Sequence, residues 1–327
     1  MKKIKIFSLI LLVGIGIVFF ANSEKNYFKF SSILTAQISD VFNKNLEKNE
    51  NPKTKNQEKN NTESSMPEIN AESAISVLLL NNGEKKILYQ KNINERLSIA
   101  SLTKLFTVDV FIENFDINQL VKISKKAVDQ EGILGEYKEG EVFKAKDLIF
   151  SSLLESSNDA VYALAEKIGS VDYFVGFMNL KAKRLNLNDT YFINPTGLEE
   201  NNNSLFNYST ANDLSKFVIY LINNNPLILE IISKNNYDIF SANEKFHHKA
   251  INTNKFLESP YFFENFKLIG GKTGLEEKAG ECLLLIFEDE NNNYLINIVL
   301  NADNRFEESL KLFNKSKEEY NKIFKLE

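Results

Sequence analysis

The chain has 327 residues, of which 43% are hydrophobic, so it can bury the core of one large domain or of two modest ones. Charged residues make up 25% of the sequence and the formal net charge is −5. This balance argues against a nucleic-acid-binding protein, because such proteins carry a basic surface. The single cysteine, Cys282, excludes an internal disulfide, and its place in an apolar run predicts a buried, unreactive thiol.

The N-terminal part of the chain predicts an export segment followed by a tether. Three lysines, at positions 2, 3 and 5, precede an apolar run over 6–21. This order predicts either a cleaved signal peptide or a retained membrane anchor in residues 1–23, and it directs the remainder out of the cytoplasm. Residues 24–67 predict a disordered tether, since their second half is almost entirely polar. We therefore expect the folded domain to span residues 68–327.

The predicted domain begins with a β-hairpin and continues with helices. Apolar runs over 76–80 and 86–90 flank Asn81-Asn82-Gly83, a turn sequence typical of paired strands. Helical periodicity then follows, first in the segment that starts near Ser101 and later in segments with recognisable ends, which are 145–155, 159–169 and 209–226. In the last of these, Thr210 and Asp213 have the spacing of a capping box.

The pattern returns to strands near the C-terminal end. Apolar runs over 282–287 and 294–300 flank a polar turn, and an amphipathic helix is predicted over 304–324. Because both runs are continuously apolar, we expect a sheet that is covered on both faces. The simplest assembly is an α+β fold, in which hairpins from both chain ends form one antiparallel sheet and the helices form an inserted lobe. A cleft is expected where the lobe meets the sheet.

One candidate catalytic pair lies at the start of the first helical segment. Ser101 and Lys104 are three residues apart, so their side chains share a helix face and can meet. A serine hydroxyl needs a neighbouring base to become a nucleophile. A lysine can be that base if burial or a second cation lowers its pKa. Taken alone, the spacing is weak evidence, because a chain rich in serine and lysine contains such pairs by chance.

Two further segments have both a structural and a functional interpretation. Ser156 and Asn158 interrupt two helical patterns, which fits either a capped helix junction or a cleft that uses a hydroxyl and an amide. The stretch "LIGGKTGLEEKAG" (268–280) fits either a glycine-rich turn or an edge strand that admits a substrate backbone. A phosphate-binding loop is excluded there, because Phe266 stands where that motif requires glycine.

The three segments together carry a resemblance to a known family. A Ser-x-x-Lys, a Ser-x-Asn and a Lys-Thr-Gly occur in that order, with roughly 50 residues between the first two and more than 100 before the third. This set is similar to the signature of penicillin-binding proteins and serine β-lactamases. With "FINPTGLEE", "YSTANDLSKF" and "NTNKF", the chain resembles the D-alanyl-D-alanine carboxypeptidases, which are low-molecular-weight penicillin-binding proteins. The resemblance implies the β-lactamase-like fold.

The resemblance also implies roles for three catalytic residues. Ser101 corresponds to the acylated nucleophile, Lys104 to its general base and Ser156 to a serine that relays a proton. Lys104 must lose its proton to act, so we expect burial and the charge of Lys272 to lower its pKa.

The same resemblance implies five substrate-binding residues. Asn158 corresponds to the amide that orients the substrate and Lys104, and Lys272 and Thr273 correspond to the pair that holds a terminal carboxylate. Gly274 lies where a substrate backbone approaches the strand closely, and the backbone N–H groups of Ser101 and Leu275 would form an oxyanion hole.

The implied activity is that of a serine D-Ala-D-Ala carboxypeptidase acting on peptidoglycan stem peptides, with β-lactam antibiotics as covalent inhibitors. The implied location is the bacterial cell envelope outside the cytoplasm, with membrane attachment through the N-terminal segment. No metal or other cofactor is implied, and the adjacent His247 and His248 lack metal-ligand spacing. Glu276 departs from the family pattern, which often has a hydroxyl residue there. The alternatives are a D,D-endopeptidase, a β-lactamase and a non-catalytic binder of cell-wall peptides.

Overall fold

The computed structural model describes residues 68–132, 135–200, 204–258 and 263–325. The predicted export segment (1–23) and tether (24–67) lie outside the described residues, so both stay predictions. Within the described ranges, no helix is both long enough and apolar enough to cross a membrane.

The described residues contain eleven strands: β1 Ala71–Leu79, β2 Lys85–Lys91, β3 Leu97–Ser98, β4 Leu120–Lys122, β5 Val142–Lys144, β6 Tyr208–Ser209, β7 Asn236–Phe240, β8 Phe246–Ile251, β9 Phe266–Glu276, β10 Gly280–Asp289 and β11 Tyr294–Ala302. They also contain eight α-helices: α1 Thr103–Asn114, α2 Lys125–Val128, α3 Ala145–Leu154, α4 Asn158–Glu166, α5 Val171–Arg184, α6 Ala211–Asn224, α7 Pro226–Ile232 and α8 Arg305–Phe324. Two short 3₁₀ turns span Ala100–Leu102 and Lys255–Leu257.

The main sheet has five antiparallel strands in the order β2-β1-β11-β10-β9. The two predicted hairpins are β1–β2 and β10–β11, and they pair through β1 and β11, which confirms that both chain ends build one sheet. One row of paired residues crosses the sheet from Gln90 through Ile75, Ile298 and Leu284 to Lys272. Strand β9, at the edge, therefore presents Lys272 on the same face as these core residues.

The sheet is covered on both faces, as the continuous apolar strands predict. Ile75 and Val77 of β1 belong to the core shared with the helical lobe, whereas Ala74 and Leu78 face the core shared with α8. The alternation follows from the two-residue period of a strand. Cys282 is fully buried, and burial raises the pKa of its thiol to about 11, which confirms the prediction of an inert cysteine.

The helical lobe follows the predicted segments closely and adds elements that the sequence did not reveal. The Thr210 hydroxyl accepts a hydrogen bond from the Asp213 backbone N–H (3.0 Å), so the predicted cap begins α6. Helix α5 and the β7–β8 hairpin were not predicted. Phe240, Phe246 and Ile251 of that hairpin are all exposed, so hydrophobic patterning does not mark an inner face there.

A buried ion-pair network ties three lobe helices together. Lys181 of α5 pairs with Asp109 and with Glu113 (2.6 Å to the latter) on α1, and Tyr220 of α6 donates to Glu113. Asp109 is fully buried and also accepts from the side chain of Asn225, which follows α6. Because a buried charge is costly unless it is paired, Lys181 holds this part of the lobe together.

We expect Lys181→Ala to destabilise the domain by about 3–5 kcal/mol, because it leaves the Asp109 carboxylate buried without its cation. Burial raises the pKa of Asp109 to about 6 in the presence of Lys181, so urea unfolding should be measured at pH 8, where the wild-type carboxyl is ionised. Lys183→Ala, at an exposed position on the same helix, is the control and should change stability by less than about 0.5 kcal/mol. Equal effects of the two substitutions would contradict a role for the network.

Candidate active site

Ser101 and Lys104 meet at the start of the first lobe helix, as their spacing predicts. Ser101 lies in the 3₁₀ turn Ala100–Leu102, directly before α1. The Lys104 side chain is fully buried, and its Nζ donates to the Ser101 hydroxyl (2.7 Å) and to the Thr196 carbonyl (2.8 Å). Thr196 lies 92 residues further along the chain, within the segment "FINPTGLEE".

Burial lowers the pKa of Lys104 from 10.5 to about 7, because the interior disfavours the ammonium form. A lysine with this pKa is neutral in about half of the molecules at pH 7, which suits a general base. The charge of Glu276 acts in the opposite direction and raises the pKa of Lys104. The expected lowering of the pKa of Lys104 by the charge of Lys272 is not found, because burial and Glu276 are what shift it. The charge of Lys104 is instead the next cause, after burial, that lowers the pKa of Lys272.

The junction between α3 and α4 satisfies both interpretations that the sequence left open. The Ser157 hydroxyl accepts from the Ala160 backbone N–H (3.3 Å), so Ser157 caps α4. Ser156, in contrast, has a left-handed backbone (φ +67°), and its hydroxyl accepts from Lys272 Nζ (2.8 Å). Ser157 thus caps the helix, while its neighbour Ser156 contacts Lys272.

Asn158 occupies the first residue of α4. Its Nδ2 donates to the Glu131 carbonyl (2.6 Å), and its Oδ1 is buried without a hydrogen-bond partner among the described residues. Within those residues, the hydrogen bonds of Lys104 Nζ go to Ser101 and Thr196 and none goes to Asn158. The expected contact between Asn158 and Lys104 is therefore not made, whereas a free amide oxygen stays available.

Lys272 and Thr273 sit together on the edge strand β9. Lys272 is 1% exposed, and its Nζ donates to the Ser156 hydroxyl and to the Thr273 carbonyl (3.0 Å). Burial, then the charges of Lys104 and Arg305, lower the pKa of Lys272 well below 10.5. The Thr273 hydroxyl lies 2.6 Å from that of Thr253, so the strand is fixed to the segment "NTNKF".

Two glycines allow the backbone to pass close to the turn before α1. A Cβ on Gly274 would lie 3.1 Å from the Ile99 carbonyl oxygen and 3.3 Å from the Ser101 nitrogen. Gly197 has φ +89°, and a Cβ there would lie 2.0 Å from the Ala100 carbonyl oxygen. Strand β9 therefore brings the backbone around Leu275 near that of Ser101, while the Leu275 side chain stays 57% exposed.

Arg305 is a site residue that the sequence did not reveal. It begins α8, and its Nη1 donates to the Gly274 carbonyl (2.7 Å), which adds a cation beside β9. Thr196 and Thr253 lie within segments that carry the family resemblance, but the sequence indicated no role for either. Nothing local distinguishes these three residues, because each reaches the site through a tertiary contact.

The histidine pair lies beside the turn before Ser156 and outside the lysine cluster. His248 Nε2 is 2.8 Å from Glu155 Oε1, and His247 Nε2 is 3.4 Å from Glu141 Oε2. Across the described part of the chain, no three His, Cys, Asp or Glu side chains are placed to hold a metal ion.

These contacts supply what nucleophilic serine chemistry requires. A serine hydroxyl is hydrogen-bonded to a buried lysine whose pKa is near neutrality, and a second serine is hydrogen-bonded to a lysine on the edge strand. Together with a five-stranded antiparallel sheet and a helical lobe, they define the β-lactamase-like class of serine enzymes. The sequence profile of the D-alanyl-D-alanine carboxypeptidase family matches residues 59–304, and the chain belongs to this family.

Individual relatives agree with this assignment. The carboxypeptidase DacF of Bacillus subtilis is 33% identical over 219 residues, which are 65% of this chain and 54% of the relative. The D-alanyl-D-alanine endopeptidase of Escherichia coli is 30% identical over 68% of this chain and 69% of its own. Penicillin-binding protein D2 of Listeria monocytogenes, solved in an ampicillin-bound form, superposes with a TM-score of 0.61 at 27% identity, covering 76% of this chain and 98% of that chain. The chain thus spans about half the length of the B. subtilis relative.

Proposed function

We propose that the protein is a serine-type D-Ala-D-Ala carboxypeptidase that trims the stem peptides of peptidoglycan. The observation that carries the proposal is the contact between Lys104 Nζ and the Ser101 hydroxyl (2.7 Å), together with the lowering of the pKa of Lys104 to about 7. A lysine in this state can take the hydroxyl proton at neutral pH, which is the step that a serine nucleophile needs.

In the proposed reaction, Ser101 Oγ attacks the carbonyl carbon of the D-Ala–D-Ala bond while its proton passes to Lys104 Nζ. The backbone N–H groups of Ser101 and Leu275 stabilise the oxyanion that forms. The proton then reaches the leaving amine with the help of Ser156, the bond to the terminal D-Ala breaks, and an ester on Ser101 remains. Water adds to this ester, which releases the shortened peptide and restores the hydroxyl.

Substrate selection in this proposal rests on the terminal carboxylate. Lys272 and Thr273 bind it, Gly274 leaves room for the peptide backbone, and Asn158 uses its free Oδ1 to accept from a peptide N–H. The low pKa of Lys272 in the free protein should rise when the carboxylate arrives, since an opposite charge favours the ammonium form.

The experiment that tests this function is mass spectrometry of purified stem pentapeptide and of cross-linked peptide dimers after incubation with the protein. We expect the pentapeptide to lose one alanine while the dimers stay intact. Cleavage of the dimers alone would support the endopeptidase activity that the E. coli relative is named for. No cleavage of either substrate, without penicillin labelling, would leave only a binding function.

β-Lactam antibiotics are expected to acylate the same serine, and the ampicillin-bound form of the Listeria protein supports this expectation. We place the protein outside the cytoplasm, in the cell envelope and attached through its N-terminal segment, because lysines precede the apolar run there.

We also propose that residues 68–327 form the catalytic unit. Support comes from Ile69, which is fully buried and whose carbonyl accepts from Lys91 Nζ (2.9 Å). A protein that starts at residue 68 should melt cooperatively and react with penicillin as the full chain does, as circular dichroism and labelling can measure. A protein that starts at residue 80 lacks β1 and should not fold. Failure of both would move the domain boundary upstream.

A further prediction concerns Glu276, on the same face of β9 as Lys272. Burial and the charge of Glu199 raise the pKa of Glu276 to about 7, and its anion raises the pKa of Lys104. Glu276→Gln should therefore lower the pKa of Lys104 and increase the rate of penicillin acylation by up to about twofold near pH 7, where about half of the Glu276 carboxyls are ionised, with little change at pH 5. Stopped-flow rates from pH 5 to 9 measure the shift. Glu277→Gln, at the next position, is the control, and a profile displaced to higher pH would contradict the expected sign.

A further inference from the structure

The backbone at Ser156 is held in an uncommon conformation. Its φ of +67° lies in the left-handed region, which side chains other than glycine, asparagine and aspartate seldom adopt. This conformation directs the Ser156 hydroxyl to Lys272 Nζ (2.8 Å). A conformation of this kind persists only where neighbouring contacts determine it. The residues that determine it therefore control where the hydroxyl lies.

The residue before Ser156 is a buried glutamate whose carboxylate accepts two hydrogen bonds. Glu155 is 7% exposed, and its Oε1 accepts from the Ser151 hydroxyl (2.6 Å) and from His248 Nε2 (2.8 Å). Ser151 is one helical turn away, in α3, so it ties Glu155 only to its own helix. His248 comes from β8, 93 residues further along the chain, and it ties the turn to a separate element.

The His248 ring is itself held in one orientation. His247 Nδ1 lies 2.6 Å from His248 Nδ1, so one nitrogen donates and the other accepts. The His247 ring stacks on Tyr137 (5.3 Å between centroids, 9° between planes), and burial lowers the pKa of His247. One of the two Nδ1 atoms carries the hydrogen of this contact, and with Nδ1 so placed the His248 ring presents Nε2 to Glu155.

The same segment of chain makes a second contact two residues after β8. The Thr253 backbone N–H donates to the carbonyl of Leu154 (3.0 Å), the residue before Glu155. The Thr253 hydroxyl also lies 2.6 Å from that of Thr273, on β9. Residues 248–253 thus connect the turn that carries Ser156 to the strand that carries Lys272 and Thr273.

We propose that His248 is a positioning residue for the reaction: by holding Glu155, it fixes the left-handed turn and keeps the Ser156 hydroxyl at Lys272. The inference rests on the proposed function, because it concerns the same site. His248 does not contact the reacting groups, so its effect reaches them through Glu155. It should change the rate of acylation and leave the affinity for the ligand carboxylate, which Lys272 and Thr273 set, nearly constant.

The test is stopped-flow penicillin acylation, separated into the dissociation constant of the first complex and the rate constant of acylation. We expect His248→Ala to lower the rate constant by about ten- to a hundredfold, since displacement of a catalytic group by about 1 Å can cost that much. The dissociation constant should change less than threefold. His248→Gln keeps an N–H that can reach Glu155, and it should restore the rate constant to within about threefold of wild type.

Two further variants separate positioning from stability. Lys249→Ala is the matched control on the same strand, because Lys249 is exposed and its ion pair within the described ranges is with exposed Asp238 (3.4 Å). It should leave acylation unchanged. The double variant Glu155→Leu/His248→Leu removes the buried charge together with its partner, so it should fold even if His248→Ala does not. Its rate constant of acylation should remain at least tenfold below that of wild type.

The outcomes are distinguishable. If wild-type protein is not acylated, the proposed function fails. If wild type is acylated, and the double variant or His248→Ala reacts within twofold of it, the inference about His248 is wrong. Loss of activity in His248→Gln equal to that in His248→Ala would also overturn it, because a hydrogen bond to Glu155 would then not be what matters.

Discussion

Ser101→Ala abolishes covalent labelling by a fluorescent penicillin: this is the largest effect that we expect from any single substitution. The alanine has no oxygen to form the ester, while Lys104 and the second lysine–serine pair remain in place. Loss of a serine nucleophile lowers turnover by roughly 10⁴- to 10⁶-fold, so hydrolysis of the stem pentapeptide should fall below detection. Gel fluorescence and mass spectrometry of the labelled peptide measure the two effects.

The control for Ser101 is a serine three positions upstream. The Ser98 hydroxyl donates to Glu199 Oε1 (2.9 Å), a carboxylate that also accepts from the backbone N–H groups of Lys278 and Ala279. Ser98→Ala should keep the label, although it removes one contact beside β9. Label that survives in Ser101→Ala would exclude Ser101 as the nucleophile. Fast release of the label from wild type, with rapid β-lactam turnover, would indicate a β-lactamase.

Lys104→Met should lower the rate of acylation by about 10²- to 10⁴-fold, the range typical of the loss of a general base. In the wild type, the pKa of Lys104 is about 7, so the ammonium form predominates at pH 6 and the neutral amine at pH 8. The rate should therefore rise about tenfold per pH unit below 7 and become constant above it. Because two buried lysines interact, the observed pKa belongs to the pair.

Stopped-flow acylation between pH 5 and 9 provides the measurement for wild type and Lys104→Met. Lys267→Met, at an exposed position on β9, is the matched control and should keep both the rate and its pH dependence. A wild-type rate that still rises about tenfold between pH 8 and 9 would mean that burial does not lower the pKa of Lys104. A rate that falls as pH rises from 6 to 8 would exclude lysine as the base.

The sequence predicted those parts of the molecule that are determined by residues close together in the chain. Two hairpins, the closing helix and the capped start of α6 follow from turn residues, apolar runs and the Thr210–Asp213 spacing. The Ser101–Lys104 contact was predictable for the same reason, since residues three apart on a helix face each other.

The remaining parts depend on contacts between distant segments. Lys104 and Thr196 are 92 residues apart, and Glu155 and His248 are 93 apart, so no periodicity in either segment indicates the partner. In the sequence, Arg305 is an ordinary first residue of an amphipathic helix, and only the folded structure shows its contact with β9. The influence of Glu276 on Lys104 likewise depends on burial, which a sequence pattern does not specify.

The pairing of β1 with β11 has a consequence for how the protein becomes active. Ala71 faces Ala302 across the sheet, so a loop of roughly 230 residues must close before the central strands can pair. Contacts of such sequence separation slow folding. The Ser101–Lys104 contact is local to one helix start, but Lys272 lies on β9, whose sheet neighbour β10 pairs in turn with β11. A newly made chain can therefore form the Ser101–Lys104 contact early, whereas Lys272 joins it only after the sheet has closed through β11, so the two lysine–serine pairs stay apart until synthesis has passed β11.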